Sequence, residues 1–420
     1  MKQNKTTSIL FPLLIVMCLM FFWNMSRNIN DILIPHLKRA CQLTDLESSL
    51  IQSAFFGAYF LMAIPAGYFI QKKGYRVGMI TGLLTAALGA ALFYPAAEIR
   101  YYPLFLLALF IMAAGFTFLE VTATPYISKL GDPEGASSRL SLSAAVGSLG
   151  ATIAPYIGAL LLLHEKDIPQ TSIDSFSATE LQAFLTAEAN LVKLPYLGLA
   201  GLFIAMGLLL CFIKLPSIAD EEQSNYSFKK IFQFSHAMYG IGAVFCYVGA
   251  EVGIVSFLIR YSKSMELEGL TEQKSALFIT VFMALVLAGR LFGSYILKKF
   301  SPPKMLVVSS LGAFLLVLIA IITTGYTSIW SLVFIGLFTS IMYPIVFTLS
   351  IKDLGAYTKT ASSLLIMGIV GGAIVPPIMG YISDNVGIRY AFFAPLVCYA
   401  YVIYFAVKGH QIKASKASVN

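Results

Sequence analysis

The stretch Asn24-Met25-Ser26-Arg27-Asn28-Ile29-Asn30-Asp31 places polar and charged side chains at the end of the first long apolar run of the chain. Four of its residues recur at i, i+3, i+4 and i+7, positions that share one face of a helix: Asn24, Arg27, Asn28 and Asp31. Residues 11–23 before it and 32–35 after it are apolar. A charge at bilayer depth costs on the order of 3 kcal/mol, so it normally faces a partner or a wet cavity. This face therefore predicts the wall of an internal pathway; the alternative is an interfacial cluster paired only for structure.

The composition of the whole chain is typical of a membrane protein. Of its 420 residues, 58% are apolar and only 12% are charged, and the mean hydropathy is +0.79. Soluble domains have about 45–50% apolar and about 25% charged residues. Since about 20 apolar residues cross a bilayer, this length accommodates about twelve helices. We therefore predict an all-α protein embedded in a lipid bilayer.

Twelve apolar stretches are long enough to be membrane spans. They are 8–37, 46–71, 75–97, 101–130, 136–163, 193–213, 234–262, 271–297, 303–325, 327–352, 358–383 and 387–408. Lys and Arg are about twice as frequent in the segments on the side of the N-terminus as in those on the other side, which predicts both termini in the cytoplasm. The net charge of +8 thus reflects topology, and we expect no nucleic-acid partner.

A charged segment, 214–233, divides the chain into two groups of six spans, so we predict two halves, 1–213 and 234–420, joined by a cytoplasmic linker. The halves also share a pattern. Gly147-x-x-Gly150-x-x-Ile153-x-Pro155-x-Ile157 recurs as Gly368-x-x-Gly371-x-x-Ile374-x-Pro376-x-Ile378. This duplication resembles the build of the major facilitator transporters, in which the substrate lies near the midplane between the halves.

Five ionisable side chains are expected to lie embedded at depth in the membrane: Arg27, Asp31, Glu120, Glu251 and Arg290. A carboxyl group in a desolvated chamber can take a proton from one side of the membrane and release it to the other. We expect Glu120 to bind sugar and sense protonation. Asp31 is expected to carry a charge gated by Arg27, four residues earlier.

Further candidate contacts lie beside these acids. Thr124 is one helical turn after Glu120, and Tyr247 is one turn before Glu251. Hydroxyl groups and carboxylates together can read the hydroxyl groups of a sugar. The predicted proton-coupling residues are Asp31 and Glu120. The predicted substrate-binding residues are Asn24, Arg27, Asn28, Asp31, Glu120, Thr124, Tyr247 and Glu251.

Other chemistries find no support in the sequence. The four histidines, at positions 36, 164, 236 and 410, do not share a helix face, so we predict no metal site. No glycine-rich phosphate loop with a Lys-Ser/Thr tail is present, which argues against ATP-driven transport. No nucleophile has a base beside it. We therefore expect neither an enzyme nor a cofactor other than the coupling proton.

Several motifs along the chain resemble those of the fucose/proton symporter family of the major facilitator superfamily, which includes carriers of glucose/galactose and N-acetylglucosamine. They include Asn28-Ile-Asn30-Asp31-Ile-Leu-Ile-Pro35, Ile51-Gln-Ser-Ala-Phe-Phe-Gly57, Leu119-Glu120, Phe245-Cys-Tyr-Val-Gly-Ala250, Gly289-Arg290 and Tyr343-Pro344. The resemblance covers nearly all of both halves in order. It implies that Asp31 and Glu120 are the two carboxylates of proton coupling and sugar binding.

Five positions depart from the L-fucose carriers of that family. Ala144 and Gly147 stand where those carriers have amide side chains, Glu251 replaces a glutamine, Val255 a tryptophan and Arg27 an asparagine. Two amide donors are lost outright, and at two further positions an amide gives way to an acid and a base, so L-fucose specificity does not carry over. A different hexose, an N-acetylated sugar and an anionic sugar attracted by Arg27 all stay open.

Together these features predict a monomeric transporter with twelve transmembrane helices in two pseudo-symmetric halves. It is expected to take up a monosaccharide, a hexose or 6-deoxyhexose such as L-fucose, with a proton across a bacterial inner membrane by alternating access. A sodium-coupled or uncoupled sugar facilitator is one alternative. A drug or amino-acid exporter on the same scaffold is another, since a fold does not dictate a function.

Overall fold

The computed structural model describes residues 3–130, 136–162, 176–213, 231–296, 300–354 and 358–411. The helices of this part of the chain are α1 (Gln3–Ala40), α2 (Asp45–Ala91), α3 (Phe93–Glu98), α4 (Tyr102–Lys129), α5 (Ala136–Leu162), α6 (Ala178–Asn190), α7 (Lys193–Phe212), α8 (Ser235–Lys263), α9 (Glu272–Ile296), α10 (Pro302–Ile322), α11 (Gly325–Thr339), α12 (Met342–Ser350), α13 (Thr358–Met367), α14 (Gly371–Val386) and α15 (Phe393–Tyr404). Residues 214–230 of the predicted linker lie outside the described residues.

The predicted membrane architecture is confirmed. Eleven helical stretches in the described ranges are long and apolar enough to cross a bilayer, and one bent pair of helices makes a twelfth. That pair is α11 and α12, which meet at an angle of 41°. Pro344 lies in the first turn of α12 and has no N–H to donate to the carbonyl four residues earlier, which accounts for the break there.

The α2 helix contains two spans joined without a loop. Its backbone leaves helical geometry only at Gly74, which has φ +80°, a conformation that side chains with a Cβ rarely adopt. Arg76, just after this turn, donates hydrogen bonds to the carbonyl oxygens of Leu210 (3.0 Å) and Cys211 (2.5 Å) at the end of α7. A cation stabilises the last turn of a helix because the carbonyls there lack partners. The turn is thereby fixed to α7.

The chain forms two compact units. Unit 1 consists of Met1–Glu221 and Glu266–Met283, and unit 2 of Glu222–Met265 and Ala284–Asn420. In unit 1, α5 packs along α1, and α2 packs against both α4 and α7. In unit 2, α8 packs against α12, α14 and α15, and α10 packs against α11 and α15.

The repeated glycine motif has the same packing role in both units. A Cβ on Gly150 of α5 would lie 2.4 Å from the carbonyl oxygen of Phe21 in α1. A Cβ on Gly371, at the start of α14, would lie 1.9 Å from the carbonyl oxygen of Phe245 in α8. Small residues let membrane helices approach this closely. Each unit therefore uses the second glycine of its motif to seat a late helix on its first one.

Gly150→Ala tests this close approach. The added methyl group needs the α1 backbone to move, and overpacking of this kind costs about 1–3 kcal/mol. We expect a lower melting temperature in detergent, measured by fluorescence. Gly198→Ala in α7 is the control, since nothing lies within 4 Å of its added Cβ. Equal melting temperatures for the two variants would contradict the packing described.

An ion cluster ties three segments of unit 1 together. Arg39 at the end of α1 donates from Nε to Glu188 of α6 (3.0 Å) and from a terminal nitrogen to Glu272 at the start of α9 (2.6 Å). The Nδ1 atom of His36 is 3.8 Å from the same Glu188 carboxylate, which is almost fully buried. A buried carboxylate needs a cation beside it to offset its lost hydration. The α6 helix itself begins with a capping box between Ser177 and Glu180.

Candidate functional site

The polar face of α1 contains two asparagines that bond to their own helix. Asn24 Nδ2 donates to the carbonyl oxygen of Met20, and Asn28 Nδ2 donates to the carbonyl oxygen of Asn24, both at 2.8 Å. The Asn24 amide also lies against Gly147 of α5, where a Cβ would meet Nδ2 at 2.9 Å. Local bonds of this type use one N–H of each amide and hold its rotamer. These bonds use only the N–H groups, so the amide oxygens of both residues can accept hydrogen bonds from other donors.

Asp31 on the same face is held from α2. Gln52 Nε2 donates to Asp31 Oδ1 at 2.8 Å, and Asn30 Nδ2 donates to Gln52 Oε1 at 3.4 Å. Gln52 and Asn30 are both only 2% exposed. Most buried polar groups in proteins are hydrogen-bonded. The chain of amides therefore fixes the orientation of the Asp31 carboxyl group.

Arg27, one turn before Asp31, lies over two aromatic rings of α2. Its guanidinium carbon is 5.5 Å from the ring centroid of Phe56 and 5.7 Å from that of Tyr59. The negative face of an aromatic ring attracts a guanidinium group, more strongly where water is excluded. The aromatic pair thus helps to hold the cation inside the membrane next to Asp31.

Glu120 joins this group from α4. It is half-buried, and both its charge and that of Arg27 interact electrostatically with the Tyr59 hydroxyl group. Glu120 therefore lies on the same side of unit 1 as the α1 face. Thr117, one turn earlier, is buried and donates to the carbonyl oxygen of Ala113 at 2.9 Å. The side chain of Thr124 lies outside the described residues.

Unit 2 has a polar cluster of its own. The Tyr247 hydroxyl group donates a hydrogen bond to the carboxylate of Glu251, and Arg290 of α9 interacts electrostatically with the same tyrosine. Tyr399 of α15 interacts electrostatically with Glu251, and the Tyr343 ring centroid is 6.2 Å from that of Tyr247. The predicted pair on α8 is thus brought together, with Tyr343 and Tyr399 beside it.

Sequence reasoning missed the contribution of α2. Gln52, Phe56 and Tyr59 recur at i, i+4 and i+7, which gives this helix a face of its own toward α1. Gln52 is also a polar residue within an apolar span, so the sequence alone could have identified it as a candidate site residue. Among the described residues, no three His, Cys, Asp or Glu side chains come close enough to hold a metal ion.

The Major Facilitator Superfamily model matches residues 14–368 of the chain. The chain belongs to this superfamily. Among proteins similar to it, a glucose/galactose transporter of Brucella abortus (biovar 1, strain 9-941) is 41% identical over 403 residues, which cover 96% of this chain and 94% of that protein. The L-fucose-proton symporter of Escherichia coli K12 is 38% identical over 414 residues, again covering 96% and 94%. The resemblance to the fucose/proton symporter family is thereby confirmed.

Solved structures of this superfamily agree with the fold. A crystal structure of the transporter FucP in the outward conformation matches with a TM-score of 0.71 at 37% identity, covering 96% of this chain and all of that one. A D-xylose-proton symporter matches with the same TM-score at 12% identity, which supports the fold alone. This member of the superfamily is a multi-pass membrane transporter and not an enzyme.

Proposed function

We propose that the protein takes up a neutral monosaccharide, a hexose or 6-deoxyhexose, together with a proton by alternating access across a bacterial inner membrane, as a monomer with both termini in the cytoplasm. The observation that carries the proposal is that Arg27 and Glu120 both lie near Tyr59 inside unit 1, while Asp31 follows Arg27 by one turn on the same face of α1 and accepts a hydrogen bond from Gln52. A membrane interior holds ionisable groups at such cost that a cluster of three marks an ion or substrate pathway. The sugar specificities of the relatives, glucose/galactose and L-fucose, support a sugar as the substrate.

Each member of the cluster has a role in this proposal. Asp31 and Glu120 bind and release the coupling proton, and Glu120 also accepts hydrogen bonds from sugar hydroxyl groups. Asn24 and Asn28 accept from the sugar through their amide oxygens, and Thr124 adds a hydroxyl group. Tyr247 and Glu251 are the proposed sugar-binding residues of unit 2. Arg27 keeps Asp31 charged until a proton arrives, because an ion pair one helical turn apart lowers the cost of the buried charge.

Uptake by purified protein in liposomes tests the proposal. Radiolabelled glucose, galactose, L-fucose and N-acetylglucosamine are each supplied under an imposed proton gradient and, separately, under an imposed sodium gradient. The proposal expects accumulation of at least one neutral sugar with the proton gradient alone. Accumulation driven only by sodium would establish the sodium-coupled alternative. Equilibration without accumulation under either gradient would establish an uncoupled facilitator.

Discrimination against anionic sugars is a specific expectation of the same proposal. We expect galacturonate to compete at least about tenfold more weakly than galactose, because its carboxylate would be repelled by Asp31 and Glu120, while the Arg27 guanidinium group already lies over the Phe56 and Tyr59 rings of α2. Competition for uptake of the labelled sugar measures this ratio. If the wild type prefers galacturonate to galactose and Arg27→Gln loses that preference, the expectation is contradicted. Arg27 would then be the residue that binds an anionic substrate.

A further inference from the structure

The hydroxyl group of Tyr59 is buried near the charged groups of Arg27 and Glu120. Tyr59 is 8% exposed, and its hydroxyl oxygen is buried without a hydrogen-bond partner among the described residues. Leaving such a group unsatisfied costs about 1–3 kcal/mol. Tyr59 lies beside an intramembrane cation, Arg27, and a carboxylate, Glu120, so a ligand bound next to these charges can supply the missing hydrogen-bond partner.

The ring is held firmly in place. Its centroid is 5.6 Å from that of Phe55 and 6.3 Å from that of Phe56, and the Arg27 guanidinium group lies 5.7 Å away. Aromatic and cation–π contacts of this kind restrain a side chain within the helix bundle. The hydroxyl group is therefore presented in a fixed position, which is what recognition of a ligand requires.

The surroundings of the hydroxyl group match the chemistry of a sugar. Arg27 only donates hydrogen bonds, a Glu120 carboxylate only accepts them, and a tyrosine hydroxyl group does both. Sugar hydroxyl groups likewise both donate and accept. The three side chains thus offer every type of partner that one sugar hydroxyl group and its neighbours can use.

We propose that the Tyr59 hydroxyl group forms a direct hydrogen bond with one hydroxyl group of the transported sugar and helps to determine which sugars are accepted. This inference rests on the proposed function and extends it to a residue of α2. A site that hydrogen-bonds a substrate hydroxyl group discriminates against the analogue that lacks it, since the buried polar group is then left unpaired. Tyr59 is therefore a specificity-determining residue.

Tyr59→Phe, combined with monodeoxy analogues, tests the proposal. Affinity of the purified protein is measured by equilibrium dialysis for the transported sugar and for each of its monodeoxy forms. Tyr59→Phe is expected to weaken binding of the parent sugar about tenfold. Wild type is expected to lose a similar factor for one particular deoxy analogue, and Tyr59→Phe should bind that analogue as well as wild type does, because the two changes remove the same bond.

Tyr196→Phe is the matched control. The Tyr196 hydroxyl group is also buried without a partner, but its ring stacks on Phe93 at 3.7 Å between centroids, away from the cluster. It is expected to leave affinity unchanged. Unchanged affinity in Tyr59→Phe, or an equal loss for the parent sugar and every analogue, would overturn the assignment of Tyr59 alone. A wild type that binds none of the neutral sugars would overturn the proposed function and this assignment with it.

Discussion

Asp31→Asn is expected to reduce proton-driven sugar accumulation to the level of protein-free liposomes. Asparagine has nearly the shape of the protonated acid, and its amide oxygen can still accept from Gln52, whose Nε2 lies 2.8 Å from Asp31 Oδ1 in the native protein. It cannot release a proton, so the imposed gradient no longer drives net uptake. Sugar exchange between equal concentrations on both sides should persist, since exchange needs no deprotonated state.

Accumulation and exchange are measured on the same liposome preparation. Asp353→Asn is a matched control, because Asp353 is exposed and has φ +59°, a conformation that asparagine tolerates well. It should transport like wild type in both assays. Accumulation by Asp31→Asn at the wild-type rate would remove Asp31 from the coupling mechanism.

Glu120→Gln is expected to have the broader effect, with loss of both accumulation and exchange. In this account the Glu120 carboxylate accepts hydrogen bonds from the sugar, and bonds to a charged group are worth about 1.5–3 kcal/mol. Sugar affinity should therefore fall by about 10- to 100-fold. Equilibrium binding to the purified variant checks this loss independently of transport.

The exposed Glu268 provides the corresponding control, since Glu268→Gln makes the same chemical change outside the cluster. Its affinity and transport should equal those of wild type. The contrast between the two acids is the informative result. If Glu120→Gln exchanges sugar normally and only Asp31→Asn loses affinity, the two roles are reversed.

The helices were largely predictable because hydrophobic length decides them. The predicted span 101–130 is the helix Tyr102–Lys129, and 193–213 is Lys193–Phe212. The α6 helix begins at a capping box, Ser177 with Glu180, of the type that local sequence encodes. The sequence predicts one span, 327–352, where the structure has two helices, α11 and α12, with a break near Pro344. The break is not evident from the sequence, since a proline can bend a membrane helix without ending it.

The site was predictable only in part, since periodicity gives the face of a helix and not its partner. The acids of α1 and α4 were identified from their rarity at bilayer depth. The contact from Gln52 to Asp31 and the aromatic pair under Arg27 depend on how α2 packs against α1, which is a tertiary property. The hydrogen bonds of Asn24 and Asn28 within α1 depend on rotamers that the sequence does not specify.

The ion cluster around Arg39 was also beyond the sequence. Its partners, Glu188 and Glu272, come from segments far away along the chain. Positive charge near a helix end is equally typical of a simple anchor at the membrane surface. Only the packing of α6 and α9 on α1 shows that Arg39 belongs to an ion cluster and is not a simple anchor at the membrane surface.

Whether a proton enters with the sugar is tested most directly by a pH electrode in a weakly buffered, anaerobic suspension of cells that produce the protein. Adding the transported sugar should make the medium alkaline at once, and cells that produce Asp31→Asn should give no pH change. Entry of labelled sugar into wild-type cells with no alkalinisation would contradict the account.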